Sequence, residues 1–482
     1  MRRWTLLLLM PLALKGLATT YYMKPTGSDN NSGLDTAHAW ATLAHAAGTA
    51  SGLSAGDTVL IMNGRYTGFE QNVGVTVEVT GTPGHRIVFK AYPGHHPIFD
   101  GEARATTNDH WYHYGVLMHS RIGGSYTVWD SIDIRNIGDP ETGDGTENGC
   151  FYVRAGHHIT FKNCWACSTY GGGGNLCGGF MICDAEVCSM MTCTSYVHYW
   201  TGHWTGNQAC YNVFSGADGS GEDVVIKNCY GHHATQGAQV KSYETPHTVI
   251  ENSVFHDCNE GIMLSASRCV ARFNVIYDCC TGIKVLPNYA DQEHDSVYNN
   301  TLYMPEDGVD GPPWNPNPGV GWGISTDGTG HNTCDYQFVY NNIVWMDNGI
   351  PTANEQTEFM CLYNLPMPDT IYSDYNCFYD DVVTIAHVAW GDPITFSEWQ
   401  ALKHDLHSLN QDPLLMDPEN NDFHLSPDSP CIGAGRDGAD IGAVPFEGVR
   451  RSNIDRLIRK HKEGTATDEQ VETLIQEYME GE

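Results

Sequence analysis

Positively charged side chains that could do chemistry gather in the middle of this sequence. The chain of 482 residues has 25 Lys and Arg against 58 Asp and Glu. A lysine that gives up its proton can act as a general base, and a charged Lys or Arg can stabilise an anion that forms during a reaction. We therefore take Lys241 and Lys284 as candidate bases and Arg268 as a candidate stabiliser of negative charge. Ordinary solvated side chains are the alternative interpretation.

A repeated pattern indicates which elements position these residues. A short run of alternating aliphatic residues reaches an Asn, a second run follows, and a Gly precedes the third. Asn228, Asn252, Asn274 and Asn299 follow one another at intervals of 24, 22 and 25 residues. This period is typical of a solenoid, and β-branched runs without a helical pattern indicate strands. The sequence predicts an all-β parallel β-helix with coils about 4.8 Å apart and Asn in a left-handed turn of each coil.

The third strand of each coil predicts which side chains face outward. The segments AQVKS (238–242), IMLSA (262–266) and IKVLP (283–287) align on the Gly before them. Because side chains alternate along a strand, Ala238 and Val240 should point into the core, while Gln239 and Lys241 point outward. Lys284 falls in the same outward row as Gln239. Lys241 and Lys284 should then share one face of the coil, roughly 10 Å apart.

Two long insertions between coils contain tryptophan. One is YVHYWTGHWTGNQ (196–208) and the other is MPEDGVDGPPWNPNPGVGW (304–322). Insertions in a solenoid often form the wall of a binding site, and aromatic rings can stack on sugars. Rings that only pack the loops against the coil are the alternative. We assign the four rings and one central cation to substrate binding: Trp200, Trp204, Trp314, Trp322 and Arg154.

The charge and the N-terminus bear on partners and location. A net charge of −33 makes nucleic acid an unfavourable partner, because binding to phosphates needs cations. Residues 1–18 have two early arginines, an apolar run and small residues near Ala18, which is the pattern of a signal peptide. No other run is long enough to span a membrane. The sequence therefore predicts a secreted or cell-surface protein.

The 17 cysteines allow two interpretations. In a secreted protein they favour disulfides, with one thiol left over. However, Cys164, Cys229 and Cys377 directly follow an Asn of the repeat, and such positions suit buried thiols stacked from coil to coil. The sequence leaves both interpretations open.

The organisation of the chain follows from these patterns. After the signal peptide, residues 19–448 form one β-helix domain. A short helix from about Trp40 to Ala47 should close its first coil. Residues 449–482 read as two amphipathic helices with facing apolar stripes. These helices suit an end cap or self-association.

Segments at both ends of the chain resemble a known group of proteins. The opening YYMKPTGSDNNSG, followed by LSAGDTVLIMNGRY and PIFDG, and the ending NQDPLLMDPENNDFHLSPDSPCIGAG with ADIGA carry the resemblance. They are similar to secreted right-handed parallel β-helix proteins of the pectate-lyase and chondroitinase-B-like polysaccharide lyase group. The resemblance spans residues 21–446 and implies a right-handed coil.

The resemblance also implies a reaction. Lyases of this group cleave uronate-containing polysaccharides by β-elimination, with calcium or a cationic side chain stabilising the anion. Lys284, within Gly282-Ile283-Lys284-Val285, resembles the base of one branch, for which Glu260 and Asn259 would be the calcium ligands. Lys241 with Arg268 resembles the catalytic cations of the other branch.

Three hypotheses on function follow. The first is a calcium-assisted polysaccharide lyase. The second is a glycoside hydrolase, which would need two carboxylates about 5–9.5 Å apart. Its candidates form no paired motif: Asp184, Glu186, Asp218, Glu222, Asp223 and Glu260. The third is a non-catalytic extracellular rod used for adhesion or fibre assembly.

Overall fold

The structure of the chain is a computed structural model. It describes residues 18–68, 74–102, 112–119, 123–138, 147–171, 177–199, 208–215, 223–242, 247–287, 291–305, 321–326, 334–335, 337–347, 359–365, 371–380, 384–388 and 393–446. Residues 1–17 of the predicted signal peptide (1–18) and the predicted helices at 449–482 lie outside these residues. None of the helices in the described part of the chain has the length and apolarity that crossing a bilayer requires.

In the described part of the chain, three sheets contain 12 strands each, and each central coil contributes one strand to every sheet. The strands pair in parallel from coil to coil, so the predicted parallel β-helix is confirmed. The first sheet contains β1 (Thr20–Met23), β2 (Thr58–Ile61), β5 (Ile87–Ala91), β8 (Thr127–Asp130), β11 (Thr160–Lys162), β14 (Ser189–Met191), β17 (Val224–Lys227), β20 (Thr248–Glu251), β23 (Val270–Arg272), β27 (Ser296–Tyr298), β31 (Gln337–Tyr340) and β34 (Ile371–Asp374).

The second sheet follows the first around each coil. It contains β3 (Gly64–Tyr66), β6 (Pro97–Asp100), β9 (Asp133–Ile137), β12 (Trp165–Gly171), β15 (Thr194–Tyr199), β18 (Tyr230–His232), β21 (Val254–His256), β24 (Val275–Tyr277), β28 (Thr301–Pro305), β32 (Ile343–Asp347), β35 (Cys377–Asp380) and β38 (Leu409–Asn410).

The third sheet completes the coil. It contains β4 (Val75–Val77), β7 (Tyr112–His119), β10 (Glu147–Arg154), β13 (Cys177–Cys183), β16 (Gln208–Ser215), β19 (Gln236–Ser242), β22 (Glu260–Ser265), β25 (Thr281–Val285), β29 (Gly321–Thr326), β33 (Phe359–Leu365), β36 (Thr384–Val388) and β37 (Pro393–Thr395). Among its described strands, β36 and β37 are the pair that runs antiparallel.

Helices and short strand pairs lie outside the three sheets. Helix α1 (Leu43–Ala47) begins at the N-cap Thr42 and buries its apolar residues in the same core as β4. It lies at the first coil, as predicted, but begins three residues later than the sequence indicates. Helix α2 (Phe396–Ala401) lies near the last coil. The small pairs are β26 (Gln292–Glu293) with β30 (Cys334–Asp335), and β39 (Leu415–Asp417) with β40 (Asp422–Leu425).

The turn between the first two sheets departs from the predicted alignment. Asn228, Asn252 and Asn299 have the expected left-handed backbone, with φ of 53°, 51° and 53°. In the coil of Asn274, however, the left-handed residue is Phe273, with φ of 55°. Placing Asn274 at the turn was therefore wrong by one residue. The polar residue is needed at the following position, where its side chain enters the coil.

That following position forms an internal ladder. Oδ1 of Asn300 accepts hydrogen bonds from both the backbone N–H and the side-chain amide of Asn274, each at 3.0 Å. Asn342 accepts from Asn300 in the same way, and Asn376 accepts from Asn342. The buried amides thus satisfy backbone groups of the neighbouring coil, as buried polar groups must.

Cysteines occupy the same ladder position in earlier coils. Cys164, Cys193 and Cys229 are buried, and each thiol donates to the carbonyl oxygen two residues before it. In the part of the chain where side chains are described, fifteen cysteines are buried thiols that form no disulfide. For these fifteen, stacked or packed thiols are the correct interpretation, and disulfides are not.

Candidate functional site

Outward-facing side chains of the third sheet form continuous rows across the strands. Register places Asn212 of β16 beside Gln239 of β19, and Gln239 beside Met263 of β22. Lys284 of β25 follows Met263, and Ser325 of β29 follows Lys284. At about 4.8 Å per strand, this central row extends roughly 19 Å along the coil axis.

The residues between these positions fill the core, as predicted. Ala238, Val240, Ile262, Leu264 and Ile283 are all 0% exposed and belong to the main apolar cluster. The predicted inward and outward faces of the third strand are therefore confirmed.

A second outward-facing row lies beside the central row, because the inward–outward alternation of side chains along the strand is interrupted at Gly237. A Cβ on Gly237 would lie 2.6 Å from Cδ1 of the buried Phe255, so Gly237 faces the core although Ala238 does too. The preceding residue, Gln236, consequently faces outward. Gln236, Glu260, Thr281 and Trp322 are in register across four strands. We call these residues the Glu260 row.

The two rows meet in an ion pair between Glu260 and Lys284. Nζ of Lys284 lies 3.1 Å from Oε1 of Glu260, and Nε2 of Gln236 lies 3.0 Å from Oε2. The Lys284 side chain is 16% exposed and that of Glu260 is 8% exposed. Both carboxylate oxygens therefore have a donor. The pair places a positive and a negative group side by side on the outer face of the sheet.

Two other polar side chains of the central row have unmet hydrogen-bonding capacity. Asn212 and Ser325 are each 1% exposed. Among the described residues, the amide oxygen and nitrogen of Asn212 have no hydrogen-bond partner, and neither has Oγ of Ser325. Buried polar atoms without partners are uncommon and costly. Asn212 and Ser325 lie at the two ends of the part of the row that contains Lys284. Their unpartnered atoms can therefore form hydrogen bonds with a polar ligand.

Lys241 and Arg154 lie in a third outward row. Arg154 of β10 is in register with Cys183, Cys183 with Phe214, and Phe214 with Lys241. Lys241 is 8% exposed, whereas Arg154 is exposed. From the register, Lys241 and Lys284 are two strands and two residues apart, so their Cα atoms are separated by about 12 Å. They share one face of the coil, as the sequence predicts.

The remaining predicted site residues are placed less closely together. Arg268 is exposed and has a left-handed backbone in the turn after β22, outside the three outward rows. Asn259 lies in the turn before Glu260, where its backbone bonds to Ala234 and Thr281. Trp322 stands in the Glu260 row next to Thr281. Trp200, Trp204 and Trp314 lie outside the described residues.

The donors around Glu260 do not fit calcium. Calcium takes six to eight oxygen ligands, several of them carboxylates. Glu260 is the one carboxylate in strands β13, β16, β19, β22, β25 and β29, and an ammonium group already contacts it. Where the structure describes side chains, no group of three or more His, Cys, Asp or Glu could hold a metal. A calcium ion at this position would lie beside the positive charge of Lys284.

Sequence reasoning missed two of the residues that matter here. Asn212 could have been found by aligning QACYNVFS with the later third strands, which places it beside Gln239. Ser325 had no comparable signal, because a long insertion separates its strand from the preceding coil. The outward orientation of Gln236 and Glu260 could not be read from alternation, since it depends on Gly237 meeting Phe255 in the folded coil.

Comparisons with known proteins agree with this architecture. Residues 21–237 match the family model described as the Pel9A-like right-handed β-helix region. The crystal structure of pectate lyase Pel9A superposes with a TM-score of 0.53 at 16% identity, covering 90% of this chain and 98% of that chain. No curated protein matches the sequence.

Weaker structural similarities include two further enzymes. A rhamnogalacturonan lyase has a TM-score of 0.46 at 12% identity, covering 92% of this chain and 98% of that chain. A protein described as a glycoside hydrolase has a TM-score of 0.47 at 11% identity, covering 77% of this chain and 96% of that chain. The right-handed parallel β-helix is the fold of this chain, and the resemblance noted in its sequence is confirmed.

Proposed function

We propose that this β-helix, which over residues 21–237 matches the Pel9A-like family, binds an acidic, uronate-containing polysaccharide along its third sheet and cleaves it by β-elimination. The observation that carries the proposal is the buried, outward-facing Lys284–Glu260 pair, since the row of Lys284 also holds the unpartnered polar atoms of Asn212 and Ser325. Hydroxyl and carboxylate groups of a sugar can supply the missing hydrogen bonds.

Lys284 suits the role of the cation that neutralises the substrate. Elimination requires that the negative charge that develops on the uronate carboxylate be stabilised. The ammonium group of Lys284 is held in place by Glu260 at 3.1 Å, and it faces outward beside Ser325. A uronate carboxylate can therefore bind Lys284 from the outer side, where no metal is needed.

Lys241 then takes the role of the base. It removes the proton on the carbon next to the carboxylate, a carbon–carbon double bond forms, and the bond to the leaving glycosidic oxygen breaks. Water protonates the departing oxygen. Lys241 is the other amine on this face among the described strands, and its long side chain can approach a sugar that is bound at Lys284. Arg268 receives no step, because it lies in an exposed turn.

The arrangement of carboxylates supports elimination over hydrolysis. A hydrolase needs a second carboxylate a few ångströms from the first, and strands β13 to β29 of the third sheet offer only Glu260. Asp184 and Asp223, which the sequence offered as alternatives, are left-handed turn residues outside the strands. Asp218 and Glu222 lie outside the described residues.

The test uses the full chain with separate polymers: polygalacturonate, alginate, rhamnogalacturonan and a neutral galactan. A lyase produces both new reducing ends and the ultraviolet absorbance of an unsaturated uronate. Reducing ends without that absorbance would indicate a hydrolase. If every polymer yields neither new reducing ends nor the absorbance, catalysis is rejected. Chelation of divalent cations should leave the rate unchanged, because the described site holds its charge on lysine.

A further inference from the structure

The first sheet ends in an exposed aromatic ring. Phe338 of β31 and Tyr372 of β34 stack with ring centroids 5.3 Å apart and planes 12° apart. β34 is the last of the described strands in this sheet, so none of them follows Tyr372. Its side chain is 53% exposed. The ring can therefore serve as a platform for another flat or ring-shaped group.

A groove of about 720 Å³ begins at this ring. Its lining includes Tyr340, Tyr372, Asp374, Lys403 and Arg436. This volume lies within the roughly 300–1,000 Å³ that is usual for small-molecule sites. The groove lies on the first sheet, whereas Lys241 and Lys284 lie on the third.

Two of the three charged side chains that line the groove, Lys403 and Arg436, are positive in a protein with a net charge of −33. The guanidinium of Arg436 lies 5.5 Å from the centroid of the Tyr340 ring. Its neighbour Asp437 is 94% exposed and approaches Nε only to 3.9 Å. Lys403 is exposed and meets no carboxylate among the described residues. The carboxylate of Asp374 is occupied by Nδ1 of His407 at 2.7 Å.

We infer that this groove is a second, non-catalytic binding site for acidic sugars. An aromatic face stacks on the apolar face of a sugar ring, and Arg436 and Lys403 pair with its carboxylate. The net charge of −33 repels polyanions in general. At this groove, however, two cations lie beside an exposed aromatic ring, and this combination favours an anionic carbohydrate. The choice of a uronate rests on the proposed function. The site would retain the polymer on the enzyme between cleavage events.

The experiment measures binding of trigalacturonate to the full chain by calorimetry, in the Lys241→Gln background so that no cleavage occurs. Tyr372→Ala and Arg436→Gln should each weaken the groove site about tenfold, since a charge-assisted contact or a stacked ring contributes about that much. Tyr372→Phe keeps the ring and should bind within about twofold. Leu406→Ala is the matched control, because Leu406 is 52% exposed and does not line the groove. Neutral galactotriose should bind poorly to every variant.

The outcomes separate this inference from the proposed lyase activity. With Lys241 intact, the groove variants should cleave short oligomers at the wild-type rate. The inference would be overturned if Tyr372→Ala and Arg436→Gln both bind trigalacturonate as well as the Lys241→Gln protein does. It would also be overturned if the Lys241→Gln protein binds no trigalacturonate, even where cleavage is observed with Lys241 intact. Groove-dependent binding by a protein that cleaves no polymer would support the inference and reject the lyase.

Discussion

Lys284 and Glu260 contact each other diagonally across two neighbouring strands of the third sheet. Nζ of Lys284 is 3.1 Å from Oε1 of Glu260, although the register partner of Lys284 is Met263, three residues after Glu260. The contact exists because Glu260 faces outward beside an inward-facing glycine. A substitution of either residue therefore leaves the charge of the other without its counter-ion.

Removing one member of this pair should destabilise the fold. Glu260→Gln leaves a largely buried ammonium group without its counter-ion, which should lower the free energy of unfolding by about 3 kcal/mol. Lys284→Met should have a similar cost. The double variant should lose much less than the sum of the two, because neither charge is then left alone. Urea denaturation measures all four proteins, and additive losses would contradict the pairing.

Arginine substitutions should separate the roles of the two lysines. Arginine keeps a positive charge but cannot act as a base. Lys284→Arg should therefore lower kcat by less than about tenfold, whereas Lys241→Arg should lower it about a hundredfold or more, the usual loss of a general base. Initial rates of absorbance increase provide the measurement. The reverse order of the two losses would exchange the roles.

Asp295 should make the protein less stable as the pH rises. Burial raises the pKa of its carboxyl from 3.8 to about 8. The folded state then holds a proton that the unfolded chain releases, so stability falls between about pH 4 and pH 8. At pH 7 the cost is roughly 4 kcal/mol. Asp295→Asn should recover much of this free energy of unfolding. The backbone N–H of Cys269 donates to Oδ1 of Asp295 at 2.7 Å, and the amide oxygen of the variant can accept the same hydrogen bond.

The control for this substitution is Asp437→Asn, at a carboxylate that is 94% exposed. Denaturation at pH 5 and at pH 8 should show a gain for Asp295→Asn that is larger at pH 8. The control should show no such difference. A gain of equal size at both pH values would mean that the carboxyl is not protonated in the folded protein.

The buried cysteines should be unreactive until the protein unfolds. Burial raises the pKa of Cys150 and of Cys188 to about 12, and that of Cys280 to about 11. Few thiolates are therefore present at pH 8. Titration with a thiol reagent, without reductant, should detect at least fifteen more groups after denaturation than before. A smaller increase would indicate disulfides.

The internal ladder should depend on its amides. Asn300→Ala removes the acceptor for the backbone N–H and the side-chain amide of Asn274, which should cost about 3 kcal/mol because both groups stay buried. Asn420→Ala is the control at an exposed position and should cost little. Thermal unfolding compares them, and equal melting temperatures would show that water or a shifted coil replaces Asn300.

Local pattern was sufficient for the coil and for one face of the site. Ala238 and Val240 point inward, and Gln239 and Lys241 point outward, because alternation along a strand depends only on backbone geometry. The repeat placed Lys284 in register with Gln239 two coils earlier for the same reason. These features can be predicted without knowing the side-chain contacts between coils.

The pattern failed where a residue's place depends on the adjacent coil. The sequence aligned Asn274 with the turn, but the requirement comes from Ser253 and Asn300 in the coils above and below, which bond to its side chain. An Asn in either of two adjacent positions looks the same in a short repeat. Only the stacked structure distinguishes them.

The amino-acid sequence thus determined the β-helix, its core and the common face of Lys241 and Lys284, since each follows from a short-range period. The tertiary structure decided that Glu260 faces outward to meet Lys284, that Asn212 and Ser325 extend the same row, and that the cysteines remain thiols. It also decided where the first sheet stops, leaving Tyr372 beside Arg436 and Lys403. These outcomes depend on contacts between residues far apart in the chain, which packing sets and local sequence does not encode.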